Sequence, residues 1–193
     1  MYVVEYLRSR RVWFETFLHR PASSATRLAG RVHISGRSVA KTVLVKARGA
    51  YLLTVLPATS RVDLARLGHA LGLDPGEVNL ATADEIERIF HDCEPGTIPP
   101  FGRLYELRTV ADVSLQDAGV LVFRTNTRHL GIRMQFRDYE SLEEPLRADF
   151  ARPISSGTGQ SSPEAATARG VIQGRSTTLC TFICHLRSAF RPR

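Results

Sequence analysis

The sequence predicts an α+β single domain, a curved mixed β-sheet flanked by short helices, on three observations. Two apolar runs, 39–47 and 51–56, are separated by Arg48-Gly49 and read as a hairpin. Start signals at Asp63 and Thr82 open short helical patterns rather than long ones. Two further strand-like runs, 119–124 and 130–136, precede a last helical pattern over 138–147. Hairpins mixed with a few short helices are the pattern of α+β folds. No internal repeat is present.

In order along the chain, residues 2–10 predict a short helix with Val4 and Leu7 inward. Residues 12–19 alternate Trp13, Glu15 and Phe17 with Phe14, Thr16 and Leu18 and read as a buried strand. Ser23 or Ser24 caps a helix whose apolar face is Ala25, Leu28, Ala29 and Val32, and Gly36 ends that unit. After the hairpin, Asp63 is a good N-cap for a helix carrying Leu64, Leu67 and Leu71, closed by Gly72. Val78–Leu80 is a short strand. Thr82-Ala83-Asp84-Glu85 is a capping box for a helix reaching Phe90. A Gly/Pro-rich loop over 91–102 and a strand at 104–107 complete the middle of the chain.

The chain of 193 residues is long enough for a real core, placed in residues 1–152. Its 43% hydrophobic and 23% charged residues are ordinary for a soluble globular protein. The net charge is +7, of which +4 falls in residues 153–193. The body is therefore mildly basic, which suits a transient RNA contact without demanding one. After Pro153 the composition turns to Ser, Thr, Gly and Ala, as in a disordered basic tail. Leu179, Phe182, Ile183, Leu186 and Phe190 near its end fit a short amphipathic helix over 179–190, a docking segment, or sequence from a shifted reading frame. Three cysteines give no disulfide framework. Charges at Glu5, Arg8, Arg10, Arg11 and Glu15 break any signal-peptide core, and no run reaches the ~18 apolar residues of a membrane span. A cytoplasmic protein is the simplest expectation.

The chemistry concentrates at one lysine and one loop. Only two lysines occur, Lys41 and Lys46. Alternation in Val39-Ala40-Lys41-Thr42-Val43-Leu44-Val45 sets Lys41 on the face of Val43 and Val45, with Lys46 on the other face. An ammonium on an apolar face is costly without an anionic or carbonyl partner. The loop Glu94-Pro95-Gly96-Thr97-Ile98-Pro99-Pro100-Phe101-Gly102 has fixed φ at its prolines and approachable N–H groups at its glycines. Together these parts suit a phosphate or a polarised carbonyl. Spacing alone also admits a strand-end lysine snorkelling to solvent and a plain structural turn.

The strand V-A-K-T-V-L-V at 39–45, V-L-P-A-T-S-R-V-D-L at 55–64, D-C-E-P-G-T-I-P-P-F-G at 92–102 and I-R-M-Q-F-R-D-Y at 132–139 occur in one order. From His19 to about Tyr139 the chain resembles the YbaK/prolyl-tRNA-synthetase-associated domain family, the free-standing aminoacyl-tRNA deacylases. In that family the strand lysine and the glycine of a G-x-x-x-P loop, here Lys41 and Gly96 to Pro100, frame the editing pocket. The resemblance implies a trans-editing hydrolase of mischarged aminoacyl-tRNA, working by substrate-assisted ester hydrolysis with no metal and no cofactor. Lys41 and Gly96 are then the catalytic pair. Thr97, Ile98, Pro100, Phe101, Gly102, Thr125 and Asn126 shape the substrate pocket, Asn126 standing where the family has a glycine. Arg37, Lys46 and Arg128 are candidates for tRNA phosphate contacts, or a solvated basic surface. The implied partners are the acceptor end of aminoacyl-tRNA and an aminoacyl-tRNA synthetase, and the expected state is a monomer.

Two other readings stay open. The same fold with hydrolysis lost would be a catalytically inactive tRNA- or synthetase-binding module. A small-molecule ester or thioester hydrolase would act without tRNA. His91-Asp92-Cys93 is not a catalytic pair on spacing, since residues two apart on a helix do not face each other. Cys93 reads as a small buried residue, and His19, His33 and His69 as structural. Cys180, Cys184 and His185 offer three donors only and one residue too many for a haem-attachment motif.

Overall fold

Arg48 and Gly49 both adopt positive φ, 48° and 86°, at the tip of the central hairpin. Two such residues make a turn whose twist matches the strands it joins. The strands are β2 (Ala40–Ala47) and β3 (Ala50–Pro57), paired antiparallel from Ala47↔Ala50 to Ala40↔Pro57. A computed structural model describes residues 2–20, 24–31 and 34–154 of the chain. Ser23, Val32, His33 and everything after Ile154, including the Leu179–Phe190 face, Cys180, Cys184 and His185, lie outside the described residues.

The remaining elements are α1 (Val3–Ser9), β1 (Glu15–Leu18), α2 (Ala25–Arg31), β4 (Ser60–Val62), α3 (Leu64–Ala70), β5 (Val78–Leu80), α4 (Ala83–Ile89), β6 (Arg108–Asp112), β7 (Val120–Arg124), β8 (Leu130–Gln135), α5 (Phe136–Glu143), β9 (Leu146–Ala148) and β10 (Ala151–Pro153). A five-stranded mixed sheet has the order β5-β2-β3-β6-β9, with β3/β6 and β6/β9 parallel. An antiparallel three-stranded sheet has the order β1-β8-β7, and β10 pairs with β4. A parallel bridge between Val39 and Val122 joins the first two sheets. The result is a mixed α+β domain with short helices.

Both predicted helix starts hold. The Asp63 carboxylate accepts from the N–H groups of Ala65 and Arg66 at 3.0 and 3.1 Å. Thr82 and Glu85 form the reciprocal capping box of α4. The central core lies between α1, α5 and the inner faces of the strands. Phe101 is fully buried there and packs edge-on against Tyr6, Phe123 and Tyr139 at 5.7, 5.6 and 5.4 Å. Such pairs add about 0.5–1.5 kcal/mol each beyond area burial.

Several expected elements are corrected. Helix α1 buries Val3, Tyr6 and Leu7, with Val4 only partly covered. The run 12–19 is not a buried strand: β1 is four residues at a sheet edge, and Leu18 is 82% exposed. It has one neighbouring strand, so the run's apolar residues are covered where Val12, Phe14 and Phe17 reach a core. The strand expected at 104–107 is instead a 3-10 turn over Gly102–Tyr105, and the strand follows at Arg108–Asp112. The last helix stops at Glu143, because Pro145 cannot continue it, and the chain re-enters the sheet as β9.

Candidate functional site

The Val39–Val122 bridge is isolated, so β2 and β7 pass side by side once and then part. Helix α2 roofs the bridge: Ala25, Leu28 and Ala29 pack on Val39, Ala58 and Val122. Two residues beyond the bridge on each strand are Lys41 and Arg124, which share its face and register. At that point α2 begins, with Ser24 and Ala25, and a cleft of about 240 Å³ opens between the strands. Ala40, Lys41, Thr42 and Arg124 line it together with Gly96 and Ile98 of the loop.

Lys41 is half-buried, and burial alone pushes its ammonium below the usual lysine range. Among the described residues no carboxylate pairs with it. Its charge is therefore only partly compensated, and an incoming anion would relieve that cost. Lys46 differs on both counts. It lies on the opposite face of β2, where its ammonium meets Glu85 at 2.8 Å. The Tyr51 hydroxyl donates to the same Glu85 oxygen at 2.6 Å. Hydrogen bonds from Lys46 and Tyr51 hold the Glu85 carboxyl at about 2, so this pair persists at any ordinary pH.

The loop meets the cleft through its backbone. Gly96 has φ 78°, and a Cβ built there would touch nothing within 4 Å, so its open side faces free space. The Thr42 hydroxyl donates to the Ile98 carbonyl at 2.7 Å and pins the loop to β2. Among the described residues no acceptor takes the N–H of Gly96 or of Ile98, whereas that of Thr97 goes to the Glu94 carbonyl at 3.0 Å. Donors held on a pinned loop beside a cation can receive a developing oxyanion without reorganising.

The other pocket candidates turn to the interior rather than to the cleft. The buried Thr97 hydroxyl sits between the carbonyls of Glu94 and Asn126, 2.6 and 2.8 Å away. Pro100 is buried and Phe101 is the core aromatic already described. Gly102 is a packing glycine: its N–H donates to the Thr109 hydroxyl at 3.1 Å, and a Cβ would fall 2.4 Å from that oxygen. Asn126, 1% exposed, points inward. Its Oδ1 accepts from the Val3 N–H at 3.0 Å and its Nδ2 donates to the Tyr105 hydroxyl at 2.9 Å. Thr125 closes the β7–β8 turn by donating to the Leu130 carbonyl at 3.1 Å.

The structure thus gathers Lys41, Gly96 and Ile98 at one cleft, whereas Thr97, Pro100, Phe101, Gly102, Thr125 and Asn126 are not among the residues lining it. Arg128 is exposed and latches the loop: its N–H donates to Glu94 at 2.8 Å and its guanidinium to the Pro95 carbonyl at 3.3 Å. Arg37 lines a different opening, of about 720 Å³, beside Asp112, Asp117 and Asp149. Cys93 donates or accepts at Tyr105 and lies 3.3 Å from Asn126 Nδ2, and burial pushes its thiol up to about 11. A thiol that stays protonated at neutral pH is a poor nucleophile. Arg124 went unnoticed in the sequence. Its only signal there is a charge ending the apolar run Val120-Leu121-Val122-Phe123, and nothing local says that it faces Lys41's cleft.

The aminoacyl-tRNA editing domain profile matches residues 19–142. No curated protein sequence matches the chain. Among solved structures, a hypothetical protein has 18% identity and a TM-score of 0.70, covering 78% of this chain and 99% of that one. A "putative trans-editing enzyme for prolyl tRNA synthetase" has 19% identity and a TM-score of 0.66, covering 78% and 94%. A "putative signal transduction protein" from Marinobacter aquaeolei has 20% identity and a TM-score of 0.60, covering 77% of this chain but 30% of its own length. At these identities the likeness is one of fold. The profile spans more than half of the chain and takes in Lys41, Gly96 and Arg124, and the chain belongs to the aminoacyl-tRNA editing domain family.

Proposed function

We propose that the chain is an aminoacyl-tRNA deacylase acting in trans, hydrolysing the ester that joins a wrong amino acid to the tRNA 3′ end. The observation that carries this reading is Lys41, a half-buried ammonium with no described carboxylate partner, facing the open backbone at Gly96 across a small cleft. A volume of about 240 Å³ lies below the usual range for drug-sized ligands and suits a small aminoacyl group. Small misfits are the ones a synthetase pocket excludes poorly, since a methylene is worth only about 1–3 kcal/mol.

No acid, histidine or thiol is among the described residues lining the cleft. The activated ester supplies what the protein does not. The vicinal ribose hydroxyl orients a water, which adds to the carbonyl carbon. The N–H groups of Gly96 and Ile98 receive the oxyanion, at about 2.7–4 kcal/mol per donor. The bond from carbon to ribose oxygen then breaks, the water's proton passes to that oxygen, and a free amino acid and a tRNA 3′-hydroxyl leave. Lys41 holds the terminal phosphate or polarises the ester carbonyl. The tRNA acceptor end is the partner this requires, with a synthetase as a second one.

The lack of a carboxyl, histidine or thiol among the described residues lining the cleft also favours the rival, a tRNA-binding module without hydrolysis. A panel of mischarged tRNAs separates the two. The deacylase reading expects release of at least one amino acid above the rate without protein; binding with no release on any member would leave the module.

A further inference from the structure

The editing mechanism uses one cation of the cleft, but among the described residues two line it. Arg124 lies in register with Lys41 across the Val39–Val122 bridge and lines the same opening. We propose that Arg124 is a second phosphate-binding residue, and that it continues with Arg128 into a cationic track for the single-stranded 3′ end of the RNA. This inference rests on the editing reading for the identity of the ligand.

Arg124 is half-buried at the end of β7, beyond the fully buried run Leu121-Val122-Phe123. It already makes an interaction within the protein. A guanidinium has five donors in a fork, a geometry that matches a phosphate bidentately. An apolar aminoacyl group gains nothing from such a group beside it, whereas a phosphodiester does.

Lys41 and Arg124 line the same cleft, each two residues beyond the bridge on neighbouring strands. Burial pushes both below their ordinary pKa, and the charge of Arg128 lowers Arg124 further. Arg124 and Arg128 are the neighbouring pair, and Arg128 is exposed beside the loop at Glu94-Pro95. Lys41 and Arg124 are half-buried in the cleft and Arg128 is exposed, so the three cations lead from the cleft to the surface. Glu94 lies 4.0 Å from the Arg128 guanidinium and tempers the charge at that end.

The test is binding of the full-length chain to an uncharged single-stranded oligoribonucleotide ending in CCA, measured by anisotropy across a salt series. Each phosphate contact adds about 0.7 to the slope of log affinity against log salt for a single strand. Arg124→Ala is expected to lower that slope by about 0.7, with Arg124→Lys retaining it and Arg61→Ala, on distant β4, leaving it unchanged. If alanine lowers the melting temperature, Arg124→Gln keeps the polar stem and is read instead. A wild-type slope in the folded neutral variant overturns the proposal. So does an unchanged slope with deacylation altered for one amino acid and not another, which would make Arg124 a reader of the acyl group. Because the probe is uncharged RNA, a chain that binds with the expected slopes but deacylates nothing would keep Arg124's assignment and lose the hydrolase reading. A chain that deacylates with Arg124 outside the slope would do the reverse.

Discussion

Replacing Asn126 with alanine removes the side chain that ties the N-terminal helix to the β7–β8 turn and to the loop below the cleft. The Val3 N–H, on a fully buried residue, loses its 3.0 Å acceptor. An unsatisfied buried donor costs about 1–3 kcal/mol. The 2.9 Å bond to the Tyr105 hydroxyl is lost as well, at about 0.5–1.5 kcal/mol. Together these give about 2–4 kcal/mol. A domain of this size shifts about 2–4 °C per kcal/mol, so Asn126→Ala is expected to melt roughly 5–15 °C below wild type. Thermal unfolding by circular dichroism reads this directly, and deacylation by the folded fraction at low temperature is expected to fall only modestly. A variant that melts within 2 °C of wild type while losing turnover would refute the reasoning. Asn126 would then reach the substrate, as the family position suggests, instead of holding the fold.

The two loop glycines are predicted to fail differently. Gly102→Ala drives a methyl to 2.4 Å from the Thr109 hydroxyl and 2.7 Å from the Leu107 carbonyl, so it lowers the melting temperature. Gly96→Ala meets open space and costs only the left-handed φ, about 1–2 kcal/mol, with its main effect on turnover. Glu143 supplies a pH signature. It is buried, and burial raises its carboxyl from 4.5 to about 7 against the opposing hydrogen bonds from Thr109 and the Arg103 and Gly102 backbone. The folded state binds this proton more tightly than the unfolded one, so stability falls as pH rises from about 4.5 to 7 and levels off above. Glu143→Gln is expected to flatten that part of the melting-temperature profile, and an unchanged slope would assign it to another group.

How far the sequence carried depends on the range of the signal. The hairpin at Arg48-Gly49 and the caps at Asp63 and Thr82 were legible because turn chemistry and capping are local. Lys41 and Gly96 were legible as a pair only through the order of motifs along the chain, since nothing within either segment points to the other. Strands β4, β9 and β10 were missed because each is three residues long and stabilised by a partner distant in sequence. Thr97 and Phe101 look like loop residues in a Gly/Pro-rich stretch, but Phe101 packs among side chains of α1 and α5 and Thr97 is held by the Glu94 and Asn126 carbonyls. Arg124 escaped for the same reason. Its place opposite Lys41 is set by a single bridge between residues 83 positions apart.

The most direct test of the central claim is single-turnover deacylation of a mischarged tRNA by wild type, Lys41→Ala and Lys46→Ala. The account predicts a loss of at least about tenfold for Lys41→Ala, one decade being about 1.4 kcal/mol of transition-state stabilisation, with the melting temperature unchanged. Lys46→Ala is expected to keep the wild-type rate, because its ammonium belongs to Glu85 on the other face of β2. Turnover by Lys41→Ala at the wild-type rate, or a greater loss in Lys46→Ala, would contradict the account.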